Sequence, residues 1–481
     1  MSVQHVDVLV IGAGISGICA AYYLQTRCPG RSFKVLEARD TIGGTWDLFR
    51  YPGIRSDSDM YTLGYSFHPW SDAKAIADGP AIMSYLRETV EAYGLERWIE
   101  FGVRVEHASW SSSEGRWTVT ARRAGEVVTL TCNFLWGCTG YYRYDEGYTP
   151  DFPGAARFQG EIVHPQKWTE AVEYEGKRVV VIGSGATAVT LVPELAKKAA
   201  HVVMLQRSPT YIISRPEDDP IANWLKEVLP KRSAHALARW KNVFVSMFLY
   251  EFSRRFPKQA RAFYMNQARE ALGEGFDVDT HFNPSYDPWD QRLCLVPEDD
   301  LFNALKSGRA SVVTDHIETF TERGIALRSG EELEADLIVT ATGLQLQVMG
   351  GATATVDGEP VDPSESLMYK GAMLSDVPNM AMSLGYTNAS WTLKCELIAE
   401  FVCRLLNHMD AQGYTWCCPR QRDPKLEDRP LLDLDSGYIR RAQGIVPKQG
   451  ERLPWRLYQN YVLDRAMFRH GRLDDDAMQF T

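Results

Sequence analysis

Two stretches about 170 residues apart, VDVLVIGAGISGICAAYYLQTR and KRVVVIGSGATAVTLVPELAKK, each pass from an unbroken apolar run through a glycine turn into an alanine-rich helical spacing. That order is the strand, turn and helix that opens a doubly wound domain. Its repetition predicts an α/β chain with two dinucleotide-binding, Rossmann-like domains. In the first copy Gly12, Gly14 and Gly17 supply the tight turn, the close approach of backbone to a pyrophosphate and the close contact of helix with strand, while N–H groups around Ser16 face the negative charge. Glu37 closes the following strand, FKVLEARD, where a carboxylate accepts hydrogen bonds from ribose hydroxyls. The same acid repels a 2′-phosphate, so this turn suits FAD or NAD. In the second copy Gly183, Ser184, Gly185, Ala186, Thr187 and Ala188 form the turn, with alanine in the third glycine position and Val189 continuing the helix. The next strand, HVVMLQRSP, ends on Arg207 and Ser208, a cation and a hydroxyl suited to a 2′-phosphate. NADPH is therefore the expected second nucleotide.

Length and composition fit such a molecule. The 481 residues are enough for two or three domains, and 45% hydrophobic content supports buried cores. A net charge of −10 argues against a nucleic-acid binder, which needs a basic surface. The nine cysteines show neither a disulfide framework nor zinc spacing, so no metal site is expected and a reducing cytoplasm fits. The N-terminus lacks a basic leader, and no window approaches the apolar length of a membrane span. Apolar strands end on Thr-Gly at FLWGCTG and IVTATG, where a chain crosses between domains. Residues 1–143 and 343–481 are assigned to the first domain, and 150–210 with 291–342 to the second. Residues 211–290, aromatic, arginine-rich and helical in period, are assigned to a subdomain inserted in the second. Between Ile221 and Gly275 ten Lys/Arg stand against four Asp/Glu. The wet faces of amphipathic helices account for such an excess, and peripheral contact with a membrane is the alternative.

Between the first two motif-bearing segments lies GGTWDLFRYPGIRSD, residues 43–57. Its pattern of Gly-Gly-x-Trp, Tyr-Pro-Gly and Asp resembles the long fingerprint of type I Baeyer–Villiger monooxygenases. A second match, Phe158, Gly160, His164 and Trp168 in F-x-G-x-x-x-H-x-x-x-W, agrees, with Thr169 replacing the usual proline or aspartate. The segments GGTWDLFRYPGIRSDSDMYTLGY, IGSGATAVTLVPELA, QRSPTYI, DPWDQRLCLVP and GYTNASWTLK are similar to the ethionamide-activating subgroup, along nearly the whole chain. The resemblance implies FAD and NADPH as cofactors, O2 as oxidant, and oxidation of apolar ketones to esters or lactones through a C4a-peroxyflavin, with sulfoxidation of thioethers or thioamides as a side activity. It points to Arg292, in DPWDQRLCLVP, as the cation holding the oxygen adduct negative. Arginine suits that task because it stays charged and presents a rigid fork of donors. Gln291 stands where relatives place a lysine, leaving more of the 2′-phosphate to Arg207. Asp57 would orient the arginine, and Arg55, Ser56 and Asp57 would face the nicotinamide half of NADP. Gly44, Thr45, Trp46, Asp47 and Leu48 would contact the flavin and its ribityl chain, and Val105 completes the FAD-binding set. His164 and Trp168 are expected to shape the domain joint and touch NADP.

Three rival classes remain. A flavin monooxygenase proper oxidises nitrogen or sulfur and needs no such arginine. A disulfide reductase needs a redox cysteine pair, for which Cys19 with Cys28 and Cys132 with Cys138 are wrongly spaced. A non-enzymatic flavin scaffold has no use for the full motif set. The aromatic insert, GYTNASWTLK and RLPWRLYQNY together imply an apolar substrate pocket.

Overall fold

The structure, a computed structural model, describes residues 3–291, 293–432 and 436–481. Gln4–Ile11 lies at the centre of the larger sheet, parallel to Phe33–Leu36 on one side and to Glu126–Gly137 on the other. Flanked by neighbours on both edges and covered on both faces, this strand has no need of alternation, and Val8, Leu9 and Val10 are all fully buried. Val103–Ser111, Arg116–Arg123 and Glu126–Gly137 form an antiparallel meander, and Met380–Met382 returns late in the chain to pair with the end of Glu126–Gly137. A second sheet has five parallel strands in the order Ala310–Thr314, His201–Gln206, Arg178–Ile182, Leu337–Thr340, Glu161–Val163. The two sheets give the doubly wound α/β architecture expected from the repeated motif.

In each sheet a glycine turn connects the opening strand to a helix, Ile15–Arg27 in the first and Ala186–Leu195 in the second. Gly17 shows why the turn tolerates no side chain there. A Cβ at that position would lie 1.8 Å from the Gly12 carbonyl oxygen, which is backbone and cannot swing away. Gly17→Ala must push the helix off the strand, and overpacking of well-packed sites costs roughly 1–3 kcal/mol or more. A marked fall in soluble yield and in thermal unfolding temperature is expected; a melting curve matching the unsubstituted protein would contradict this packing.

The inserted segment forms helices Pro220–Val228, Lys231–Arg255 and Pro257–Leu272. The sequence reading assigns them to the second nucleotide domain; in the structure they straddle both cores. Ala222, Leu225, Ala234 and Ala238 pack into the core of the first sheet, whereas Met265, Ala268 and Leu272 join that of the second. The long helix is fixed by Arg239, which forms a buried ion pair with Glu396 on the helix Trp391–Gln412 and donates to the carbonyls of Tyr61 and Gly64 at 2.9 and 2.6 Å. No helix among the described residues is long and apolar enough to cross a membrane.

Candidate functional site

Each dinucleotide helix begins without a side-chain cap. Gly14 and Gly185 occupy the two N-cap positions, and neither helix start receives a side-chain hydrogen bond. The first-turn N–H groups are thus available to an anion, favoured further by the helix dipole. Open space faces Gly185, with no heavy atom within 4 Å of a Cβ built there. Gly12 and Gly183 adopt φ of +100° and +134°, and a Cβ would meet the carbonyl oxygens of Cys138 at 2.6 Å and Ala341 at 2.3 Å. Both turns are therefore built for glycine, and the second leaves room for a ligand against its backbone at Gly185.

Glu37 is buried beside the first turn, accepting from the Ala13 N–H at 2.7 Å and the Arg39 N–H at 2.9 Å. Burial raises its carboxyl from the ordinary value, and the two backbone donors oppose that rise. Ser16 is also buried, but its hydroxyl is committed to protein partners: Trp391 Nε1 donates to it at 2.8 Å and Cys395 Sγ lies 3.2 Å away. With its hydroxyl held among these partners, the backbone N–H of Ser16 is its free group at the helix start. Val105 sits in the strand Val103–Ser111 beside a register shift, with its side chain in the sheet core. Any contact from it to a cofactor must come from the main chain.

Residues 43–57 strap the first turn to the second dinucleotide helix. A Cβ on Gly14 would lie 3.6 Å from the Gly44 Cα, so the strap begins against the first turn. Thr45 Oγ1 lies 3.2 Å from the Tyr144 hydroxyl, and Trp46 packs on the first core. Farther along, Tyr51 packs in the second core with Ala188 and Val189, its phenol pushed by burial up to about 12 and drawn back by the nearby Thr187 side chain. Gly53, at φ +77°, sits against the second dinucleotide helix, where a Cβ would approach the Thr190 carbonyl oxygen to 3.2 Å. Leu48 packs on the second core. The Asp47 carboxylate is buried between the guanidinium groups of Arg39 and Arg50. Arg55 pairs with Asp300 at 2.6 Å, and Ser56 Oγ donates to the Ser58 carbonyl at 2.7 Å while accepting the Ser58 N–H. Asp57 is exposed, close enough to Tyr51 for its charge to raise the phenol. Arg292 lies outside the described residues.

The second strand of the second sheet delivers Arg207 and Ser208 to an exposed loop. Ser184 Oγ, in the glycine turn, donates to the Ser208 carbonyl at 3.0 Å, so this loop is tied to the turn. Phe158 and Trp168 are buried in the cores of the second nucleotide unit, and a Cβ on Gly160 would strike the Asp336 carbonyl oxygen at 2.5 Å. His164 does something different. Two connecting segments run antiparallel, with Arg143 N–H bonded to the Gln345 carbonyl and Tyr148 N–H to that of Gly343. His164 Nε2 donates to the Gly343 carbonyl at 3.2 Å and Nδ1 accepts the Gln166 N–H at 3.2 Å. Burial lowers its pKa, so the ring is neutral near pH 7. Gln166 grips the other segment, its Nε2 donating to the carbonyls of Arg143 and Tyr144, each at 2.9 Å. Gln166 and Tyr144 were not singled out from the sequence; Gln166 lay inside the second fingerprint, between His164 and Trp168, while nothing local marks Tyr144.

The nine cysteines are all free and buried, and no group of metal-ligating side chains occurs among the described residues. The three segments expected to form an apolar pocket do meet. Val243 and Met247 from the long helix, Tyr386, Asn388 and Leu393 from the GYTNASWTLK region, and Tyr461 enclose a cavity of about 20 Å³, room for roughly one water. Tyr386 is held from behind by a hydrogen bond to Asp464 at 2.7 Å, itself in a buried ion pair with Lys394.

A family model for flavin-binding monooxygenase-like proteins matches residues 6–349, most of the chain and both turns. The chain belongs to the flavin-binding monooxygenase-like family. Within that family it is 53% identical over 479 residues to the FAD-containing monooxygenase EthA of Mycobacterium tuberculosis, covering 99% of this chain and 98% of the relative. It is 50% identical to the probable FAD-binding monooxygenase AlmA of Acinetobacter baylyi, covering 99% and 96%. Among solved structures, the flavin monooxygenase fold is similar to an oxidized steroid monooxygenase bound to NADP, with TM-score 0.78 at 22% identity over 99% of each chain. It is also similar to OTEMO in complex with FAD and NADP, with TM-score 0.76 at 20% identity over the whole of both chains.

Proposed function

We propose that the chain is a FAD-dependent Baeyer–Villiger monooxygenase that consumes NADPH and O2 and converts aliphatic ketones to esters or lactones, with oxidation of thioether or thioamide sulfur as a secondary activity. The observation that carries this reading is the strap of residues 43–57, which touches the first dinucleotide turn at Gly44 and packs on the helix that follows the second turn at Tyr51 and Gly53. A chain that must bring two nucleotides to one reacting centre needs such a connection; two independent nucleotide sites do not. The uncapped helix starts, the open space before Gly185 and the buried Glu37 fit the two cofactors.

FAD, once reduced by NADPH, supplies the electrons that activate O2, and the overall balance is ketone, O2, NADPH and a proton giving ester, NADP⁺ and water. The rest is the work of the protein. Backbone N–H groups of the helix starts hold the pyrophosphates, Glu37 accepts the adenosine ribose hydroxyls of FAD, and Arg207 with Ser208 receives the 2′-phosphate of NADPH. Asp57 orients Arg292, whose fixed charge favours an anionic nucleophile and the oxyanion that forms on the carbonyl. The neutral His164 and its neighbour Gln166 clamp the connecting segments and so set how the two nucleotide units meet, without donating a proton.

The exposed Arg207 gives a direct check. Arg207→Ala should raise KM for NADPH by roughly ten- to a hundredfold, since a hydrogen bond to a charged group contributes about 1.5–3 kcal/mol, while leaving KM for NADH nearly unchanged. An unaltered NADPH to NADH ratio would remove Arg207 from the assignment. The reaction class is tested by supplying 2-alkanones of rising chain length, a cyclic ketone and a thioether with NADPH and O2. Esters and lactones are expected, with a preference among the alkanones; sulfoxide as the sole product would instead establish an electrophilic sulfur oxygenase.

A further inference from the structure

We infer that the long inserted helix is a docking surface for an anionic phospholipid bilayer. Eighteen large apolar side chains are strongly exposed among the described residues, and nine of these lie between Ile221 and Phe263, less than a tenth of the chain. Such clustering sets this region apart from the scattered exposure normal on soluble proteins. Along Lys231–Arg255 and its C-cap an aromatic residue recurs every fourth position: Trp240, Phe244, Phe248, Phe252 and Phe256. Ring centroids are 5.4 Å apart for Trp240 and Phe244, 6.1 Å for Phe248 and Phe252, and 5.7 Å for Phe252 and Phe256. Positions four apart are neighbours on a helix, so the rings form two successive stacks, Trp240 with Phe244 and then Phe248, Phe252 and Phe256, which make up one aromatic ladder along the helix. Phe244 is 56% exposed and Phe248 68%.

This helix already has a covered face. Ala234, Ala238, Arg239 and Val243 are buried against the first nucleotide unit. Phe244, Phe248 and Phe256 of the ladder form a second apolar face, which folding leaves in water, while Trp240 and Phe252 are partly covered by the protein. Its ends are cationic: Lys231 and Arg232 at the start, Arg254, Arg255 and Lys258 at the finish, all exposed. Arg254 and Arg255 pair with Asp290 and Glu251 on the surface, while no carboxylate among the described residues lies within ion-pair distance of Lys231, Arg232 or Lys258. Aromatic side chains with basic residues at the flanks are what an interfacial helix presents to anionic lipid. A second copy of this chain is a poorer occupant, because a symmetric pairing would set these cations against their own counterparts. The same turns that expose Phe244 and Phe248 also carry Val243 and Met247, which line the small cavity. A bilayer seated on the ladder therefore lies about one helix diameter, roughly 10 Å, from that cavity.

Co-sedimentation of the FAD-loaded protein with vesicles of phosphatidylglycerol and phosphatidylcholine, against vesicles of phosphatidylcholine alone, tests the inference. Preferential pelleting with the anionic vesicles is expected, weakening as salt is raised. Lys231→Glu with Arg232→Glu should reduce partitioning at least about twentyfold, near fivefold for each cation lost. Phe244→Ser with Phe248→Ser should lose vesicle binding while NADPH oxidation with a water-soluble ketone stays unchanged, which separates a lost surface from a misfolded chain. Unsubstituted protein that remains in the supernatant with both vesicle types would overturn the inference. So would a dimer in gel filtration that becomes monomeric in the phenylalanine variant, since the ladder would then belong to a second copy.

Discussion

Arg292→Ala is expected to abolish ester formation while NADPH oxidation continues and its electrons emerge as hydrogen peroxide. The effect should be large because the role proposed for Arg292 acts only on charge that develops during oxygen transfer. Removing a single donor of this kind costs about 10²–10³ in turnover in other enzymes. Lysine at this position should restore only part of the activity, because an ammonium group supplies charge without the planar fork. The readouts are ester by gas chromatography, peroxide by a coupled peroxidase assay, and the rate of flavin reduction under anaerobic conditions. Reduction should be nearly unaffected, since hydride transfer precedes the step that needs the cation. Undiminished ester formation in Arg292→Ala would reduce the proposal to a generic two-nucleotide flavoprotein.

The largest loss of stability is expected at the joint between the insert and the first nucleotide unit. Arg239 and Glu396 are 7% and 6% exposed. Burial disfavours the Arg239 charge, but the Glu396 carboxylate and the neighbouring Tyr461, Tyr85 and Tyr23 together overcome it, holding the guanidinium above its ordinary range. Glu396 also accepts from Ser66 N–H at 2.8 Å and Ser66 Oγ at 2.7 Å. Glu396→Ala leaves a guanidinium in the interior without its counter-charge, and breaking a buried pair in this way costs about 3–5 kcal/mol. The combined variant Arg239→Met with Glu396→Leu should recover part of that loss, because no charge is then stranded. It should not recover all of it, since the carbonyls of Tyr61 and Gly64 lose their donor. Urea unfolding of the three proteins measures the difference; a Glu396→Ala midpoint matching the unsubstituted protein would show that water or another cation reaches the site.

The local elements of the site were legible in the sequence. A glycine turn needs particular φ values and the absence of Cβ at fixed spacings, so GAGISG and GSGATA state their own geometry, and the acid or cation closing the next strand follows from the length of one strand, turn and helix. The three inserted helices were legible too, from their period. Which side of each helix is covered was not. The even spacing of Phe244, Phe248, Phe252 and Phe256 reads in sequence as an apolar face ready for burial, and ten cations read as a wet face. In the folded chain Arg239 is inside and Phe248 outside.

By itself the sequence determined two glycine turns of the dinucleotide kind and the order of the fingerprints, because each depends on contacts within a few tens of residues. Only the tertiary structure decided the rest. It set the strap of residues 43–57 against the first turn and the second dinucleotide helix, put His164 and Gln166 on the two connecting segments, and joined Arg239 to a carboxylate 157 residues away. Periodicity specifies that a helix has faces, but the partner of each face is chosen by packing between segments distant in the chain, where many arrangements share one pattern and differ only in which charges and cavities they leave unsatisfied.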